Sequence, residues 1–525
     1  MNPRTARSPA RDAGHDASAL MVPMAFAAAL AAMAMLPMIR GHARLFPTVL
    51  TAASVLGVWG LTLFLSARAE NRQLILEAAV KKQHWVQACA QIAIFLYWGW
   101  YVRTVYAFFP LILAQLLFAY GVDGLLCLSR RDTYRVGFGP VPIVLSINLF
   151  LLFRPDWFHW QFAMILVGYL GKELIRWRRD GRSAHIFNPS SFPLGVFSIV
   201  LLVTGSTDVT LGPFIAQSQF VPPYIYALIF LVSIPGQILF GVARMTVAAV
   251  ISMVAISFVY LEVTGTYMFR DAFISLPVFL GMHLLFTDPS TSPRSESGQL
   301  AFGMLYAVGI TGFFFLLDSF DLPTFYEKLL PVPLMNLMVR RIDLIARSET
   351  LRWLDPARIG EALSPLRRNL AYTAVWIGVF GVFRAVGVLG DNHPGQYYPF
   401  WRDACEAGSA RACEYRAFMA FNYCNRGSGW ACNEHGIFLV GRGRRTQALE
   451  AFRQSCELGF EAGCQNADRD QVSRAPWERG LPHVEDLPIV LRGSKGPVTE
   501  EDPGVLLTMA CEQGWPLCDA VPPGS

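Results

Sequence analysis

From residue 20 to residue 390 the chain returns repeatedly to runs of mostly apolar residues. About 20 such residues cross a hydrocarbon core of roughly 30 Å. The approximate candidates are 20–39, 46–66, 88–108, 110–127, 138–153, 160–171, 185–204, 224–240, 245–263, 272–286, 299–317 and 369–390. Only 16% of the 525 residues are charged, against about 25% in soluble proteins, so the polar surface for several water-soluble domains is missing. The 13% aromatic content argues equally against a disordered chain. A net charge of +5 fits basic loops, and no nucleic-acid partner is expected.

The expected fold is all-α: a polytopic transmembrane helical bundle with broken or re-entrant helices, and a small C-terminal disulfide-stapled helical-repeat domain. Its expected divisions are a cytoplasmic tail (1–19), a polytopic membrane domain (20–320), an amphipathic basic linker (321–368), a last transmembrane helix (369–390) and a soluble cysteine-rich domain (391–525). Lys and Arg resist translocation, and every second loop is basic: Arg4, Arg7 and Arg11, then Arg68, Arg72, Lys81 and Lys82, then Arg130, Arg131 and Arg135, then Lys172 to Arg182. This puts the N-terminus in the cytoplasm of a bacterial-type inner membrane and the tail on the periplasmic side, with lipids as partners. Parity objects, because five candidate crossings lie between two basic segments. Either the Asn188-Pro189 stretch is re-entrant, or the amphipathic stretch from Pro323 to Val339 is the source of the mismatch.

Beyond residue 390 charges of both signs return, and eight of the ten cysteines fall there. Cys405 and Cys413, Cys424 and Cys432, and Cys456 and Cys464 are each eight apart; Cys511 and Cys518 are seven apart. Eight residues of straight helix separate two Cα atoms by about 12 Å, whereas a disulfide needs roughly 4.4 to 6.8 Å. Bonded pairs therefore require a turn between their members, and glycines such as Gly408, Gly427 and Gly459 supply one. Reduced core cysteines or a zinc site are the alternatives; the even spacing suits disulfides better, and no metal site is expected.

Two polar, proline-broken motifs interrupt the apolar runs: His185-Ile186-Phe187-Asn188-Pro189-Ser190-Ser191-Phe192 and Thr287-Asp288-Pro289-Ser290-Thr291-Ser292-Pro293. Polar groups at membrane depth are costly and usually functional, and exposed amides at helix breaks can hold an anionic or ring-carbonyl ligand. The plainer reading is that Asn188 and Asp288 cap helices. Lys172 and Glu173 read as an interface ion pair.

The segment Phe452-Arg453-Gln454-Ser455-Cys456-Glu457-Leu458-Gly459-Phe460-Glu461-Ala462-Gly463-Cys464 resembles the cysteine-rich Sel-like branch of the tetratricopeptide superfamily, which implies protein partners bound on a concave face. The two polar motifs, with Gly298 to Gly303 following, resemble the integral membrane family shared by the Rnf electron-transport complex and the sodium-pumping NADH:quinone reductase, over roughly residues 85–320. Lys172 and the stretch from Asp321 to Leu337 resemble its UnbU-like branch. This resemblance implies a flavin or quinone, and a membrane electron-transport complex as setting. Its cofactor-binding candidates are His185, Phe187, Asn188, Pro189, Ser190, Thr287, Asp288, Pro289, Thr291 and Ser292, with Phe192 and Phe286 as further stacking rings. The S-G-A-T type motif that carries covalent flavin in those relatives is missing, so the expectation is non-covalent flavin or quinone. Two readings stand beside this one: a membrane anchor for the repeat domain with no chemistry, and a small-solute transporter. Whether the chain is an enzyme is left open.

Overall fold

The computed structural model describes residues 18–179, 181–348, 363–390, 393–469, 476–487, 489–490, Thr508 and Cys511. It is 72% helical, and a helix satisfies its backbone polar groups internally. Among the described residues, four helices are long and apolar enough to cross a membrane: Leu45–Ala69, Phe109–Arg130, Ala243–Thr264 and Glu296–Ser319. Shorter apolar helices are Ala19–Met33, Ser191–Val203 and Ile225–Phe240. The expected 138–153 and 272–286 spans become nine-residue helices, Pro140–Asn148 and Leu276–Leu284, almost wholly buried. Nine residues rise only about 14 Å, so each runs only a fraction of the way through the interior.

The chain divides into two compact units, Met1–Met253 with Leu276–Val382, and Val254–Ser275 with Phe383–Ser525. In the first, the Phe109–Arg130 helix is central and 67% buried, whereas Leu45–Ala69 is 33% buried and turns apolar side chains outward. Buried amides join helices inside it: Gln115 Nε2 donates to Asn148 Oδ1 at 3.0 Å, Asn148 Nδ2 donates back to Gln115 Oε1 at 2.7 Å, and Gln161 Nε2 donates to the same oxygen at 3.0 Å. Such bonds tie helices where apolar contact alone offers little preference over lipid.

The all-helical expectation misses two two-stranded sheets among the described residues. Ile75–Ala78 pairs parallel with Thr133–Val136, and Arg176–Arg179 pairs antiparallel with Arg182–His185. The second pair turns at Gly181, whose φ of 76° suits glycine. An Asp-Gly dipeptide between two short polar runs is a hairpin signal that a reading for apolar runs passes over.

In the second unit the helices Tyr398–Glu406, Ala410–Cys424, Gly429–Gly441, Arg445–Glu457 and Glu461–Ala467 follow one another as short hairpins. Ser409 and Ser428 cap two of them, accepting from the Ala412 and Ala431 amides. Cys405–Cys413, Cys424–Cys432 and Cys456–Cys464 are bonded across the turns, with Cα atoms 4.6, 4.5 and 4.5 Å apart. Cys511 is also disulfide-bonded; its expected pairing with Cys518 lies outside the described residues. Phe452 packs with Leu439, Ala448 and Ala451.

Candidate functional site

The Asn188-Pro189 break precedes the Ser191–Val203 helix, because proline disfavours helix in the residue before it. Asn188 Oδ1 accepts from the amides of Ser190 (2.9 Å) and Ser191 (3.1 Å), satisfying two donors at the helix start. Its Nδ2 donates to the Leu285 carbonyl at 3.0 Å, and its backbone amide donates to Asn336 Oδ1 at 3.0 Å. Asn336 Nδ2 then donates to the Thr291 carbonyl at 3.0 Å. Two side chains thus stitch the first motif to the second.

The second motif is held the same way. Asp288 Oδ1 accepts from the Ser290 amide at 2.9 Å and Oδ2 from the Thr291 hydroxyl at 3.2 Å. His185 Nε2 lies 3.8 Å from Asp288 Oδ2, too far for a hydrogen bond. Burial pushes the Asp288 carboxyl up, but His185 and the Ser290 and Thr291 donors outweigh it and hold it below the usual range. Arg179 donates to the Ser292 carbonyl at 3.0 Å and to Asp343 at 2.8 Å. Asp343 also accepts from the Ser295 amide (3.0 Å), the Ser295 hydroxyl (2.7 Å) and the Arg294 amide (3.0 Å), so that these donors and Arg179 overcome burial and lower its pKa.

Both motifs open onto one cavity of about 820 Å³. His185, Asn188, Pro189 and Ser190 of the first motif and Asp288 and Ser290 of the second line it. Its lining also includes His84, Gln87, Asp123, Arg131, Lys172 and Glu173. Lys172 Nζ is 3.0 Å from Asp123 Oδ1, while Glu173 pairs with Arg131 and lies 3.7 Å from Arg176. The expected Lys172–Glu173 pair is therefore not made: adjacent residues on a helix point in different directions and find partners on other elements. Burial, with Lys81 and Lys172 nearby, lowers the His84 pKa.

Not every candidate reaches this cavity. Thr287 and Pro289 line a smaller one beside it. Thr291 and Ser292 are buried and serve the network just described. Phe187 stacks on Phe192 at 4.5 Å, and Phe286 on Tyr306 at 4.6 Å; none of these rings is on the large cavity's wall. The roles of Arg179, Asn336 and Asp343 in joining the motifs escaped the sequence reading, since each acts across a long stretch of chain. The described residues contain no cluster of three or more His, Cys, Asp or Glu able to hold a metal. Compared with known proteins, the chain matches no family model, no curated protein and no solved structure.

Proposed function

We propose that this chain is a polytopic inner-membrane component of an electron-transport system, similar to the integral membrane family of the Rnf complex, with its N-terminus cytoplasmic and its cysteine-stapled repeats docking a protein partner in the periplasm. The observation that carries the reading is the cavity of about 820 Å³ on which both polar motifs converge. Its size lies within the roughly 300–1,000 Å³ of small-molecule sites. Its wall offers what ring carbonyls and ring nitrogens need, namely the Lys172 ammonium, the His84 and His185 imidazoles and the Gln87 amide. A bound flavin or quinone supplies the electron chemistry. The residues of the chain orient it through these donors, while Asn188 and Asn336 hold the two motifs at their spacing.

The test is purification in mild detergent, followed by visible absorbance and extraction of cofactors. A flavin or quinone that is retained by the wild type and lost in Lys172→Ala and His84→Ala variants supports the proposal. A colourless protein without extractable cofactor favours the anchor reading. That reading draws on a separate groove of about 720 Å³ in the second unit, lined by Phe418, Phe421, His435 and Phe438 with charged Glu414 and Arg442.

A further inference from the structure

Beside the large cavity lies a second one of about 60 Å³, in the same compact unit. His84, Gln87, Asp288 and Ser290 line both. Deeper in, the small cavity is walled by Ser233, Gln237 and His283. His283 is 3% exposed, and its Nδ1 lies 2.7 Å from the Phe279 carbonyl. A carbonyl only accepts, so Nδ1 carries the ring proton and Nε2 presents a lone pair. That Nε2 has no hydrogen-bond partner among the described residues. Gln237, 1% exposed, uses its Nε2 on Ser233 Oγ at 3.2 Å and leaves Oε1 equally unmatched. Ser233 in turn gives its own proton to the Phe230 carbonyl at 2.8 Å.

Two buried acceptors without donors are costly, at about 1–3 kcal/mol each, and no donor among the described residues bonds either of them. A cavity of this size with polar groups in its wall exceeds the roughly 10–15 Å³ that one water needs, whereas cavities that stay dry are apolar. We infer that the side cavity holds bound water and makes His283 a proton acceptor reached from the large cavity past His84 and Asp288. Among the described residues that line it, the other titratable groups are those two, and the Thr324–Lys328 turn packed against the Leu276–Leu284 helix carries the buried Glu327–Lys328 pair. The Ile225–Phe240 helix adds the polar Ser233 and Gln237 there beside Val232, Gly236 and Phe240, and the neighbouring helix Pro365–Ala385 brings the Trp376 ring to 5.8 Å from the imidazole. A proton arriving through the water bonds to Nε2, giving an imidazolium that keeps its Nδ1–H on the Phe279 carbonyl; its departure restores the neutral ring. The inference rests on the cavities alone and needs no redox cofactor.

The test is NMR on the full chain in lipid nanodiscs with ¹⁵N-labelled histidine. The His283 signal is identified by its loss in His283→Phe, or in His283→Gln where the first variant does not fold. The wild type is expected to show magnetisation transfer from water to this imidazole, and Gln237→Leu, which fills the cavity with an apolar side chain, to weaken it by roughly fivefold or more. Lowering the pH is expected to convert the ring from the neutral Nδ1–H form to the doubly protonated form while the protein stays folded. No transfer in the wild type, transfer unchanged by Gln237→Leu, or a ring that stays neutral down to the unfolding pH would each overturn the inference. None of these readouts depends on whether a flavin or quinone is found.

Discussion

Asn188 makes three hydrogen bonds through its side chain and one through its backbone N–H, besides those its carbonyl accepts from Ser191 and Phe192. Asn188→Ala strands the buried Leu285 carbonyl and two amides at a helix start, and is expected to cost about 1–3 kcal/mol. Thermal unfolding in detergent measures this, and an unchanged midpoint contradicts the role. Asp343 makes a pH prediction. Its folded pKa is depressed, so its stabilisation is complete above the ordinary carboxylate value of about 3.9 and is lost as pH falls through the lower folded value. Asp343→Asn is expected to lower stability at neutral pH and to flatten the acid limb of a stability-versus-pH curve. At this scale the sequence showed which residues are polar in an apolar setting, including Asn188 and Asp288. It did not show their partners, since Asn336 and Asp343 approach from elements far along the chain.

Helices were legible because hydropathy and proline placement act locally. The expected spans 224–240, 245–263 and 299–317 correspond to the helices Ile225–Phe240, Ala243–Thr264 and Glu296–Ser319. The Arg176–Arg179 and Arg182–His185 hairpin was overlooked because its signal is a turn dipeptide rather than an apolar run. Close approach of helices was illegible as well. A Cβ on Gly303 would sit 2.3 Å from the Met245 carbonyl oxygen and 2.9 Å from the Ala249 amide nitrogen, so Gly303→Val must push the two backbones apart. It is expected to lose about 1–3 kcal/mol, visible as a lower unfolding temperature in detergent. In the tail, each of the three described disulfides closes an interval of eight residues. Chain-entropy arguments give roughly 2–3 kcal/mol for a loop of that size. Replacing Cys424 and Cys432 together with Ser is expected to lower the stability of the repeat region by that amount, read by denaturant titration. Equal stability in oxidised and reduced protein would show that the bridges are dispensable.

For the molecule as a whole, the four long apolar helices predict that the protein stays with the membrane fraction through an alkaline wash; release into the supernatant contradicts that expectation. Membrane character and the stapled tail could be read from the sequence because both depend on quantities summed or spaced along the chain: apolar length against bilayer thickness, and the reach of a disulfide across a turn. The meeting of two motifs about 100 residues apart at one cavity, the pairing of Lys172 with Asp123 and Glu173 with Arg131, and the unmatched Nε2 of His283 were decided by tertiary packing. Hydrogen bonds act over about 3 Å, and only the folded chain brings such distant residues within that range.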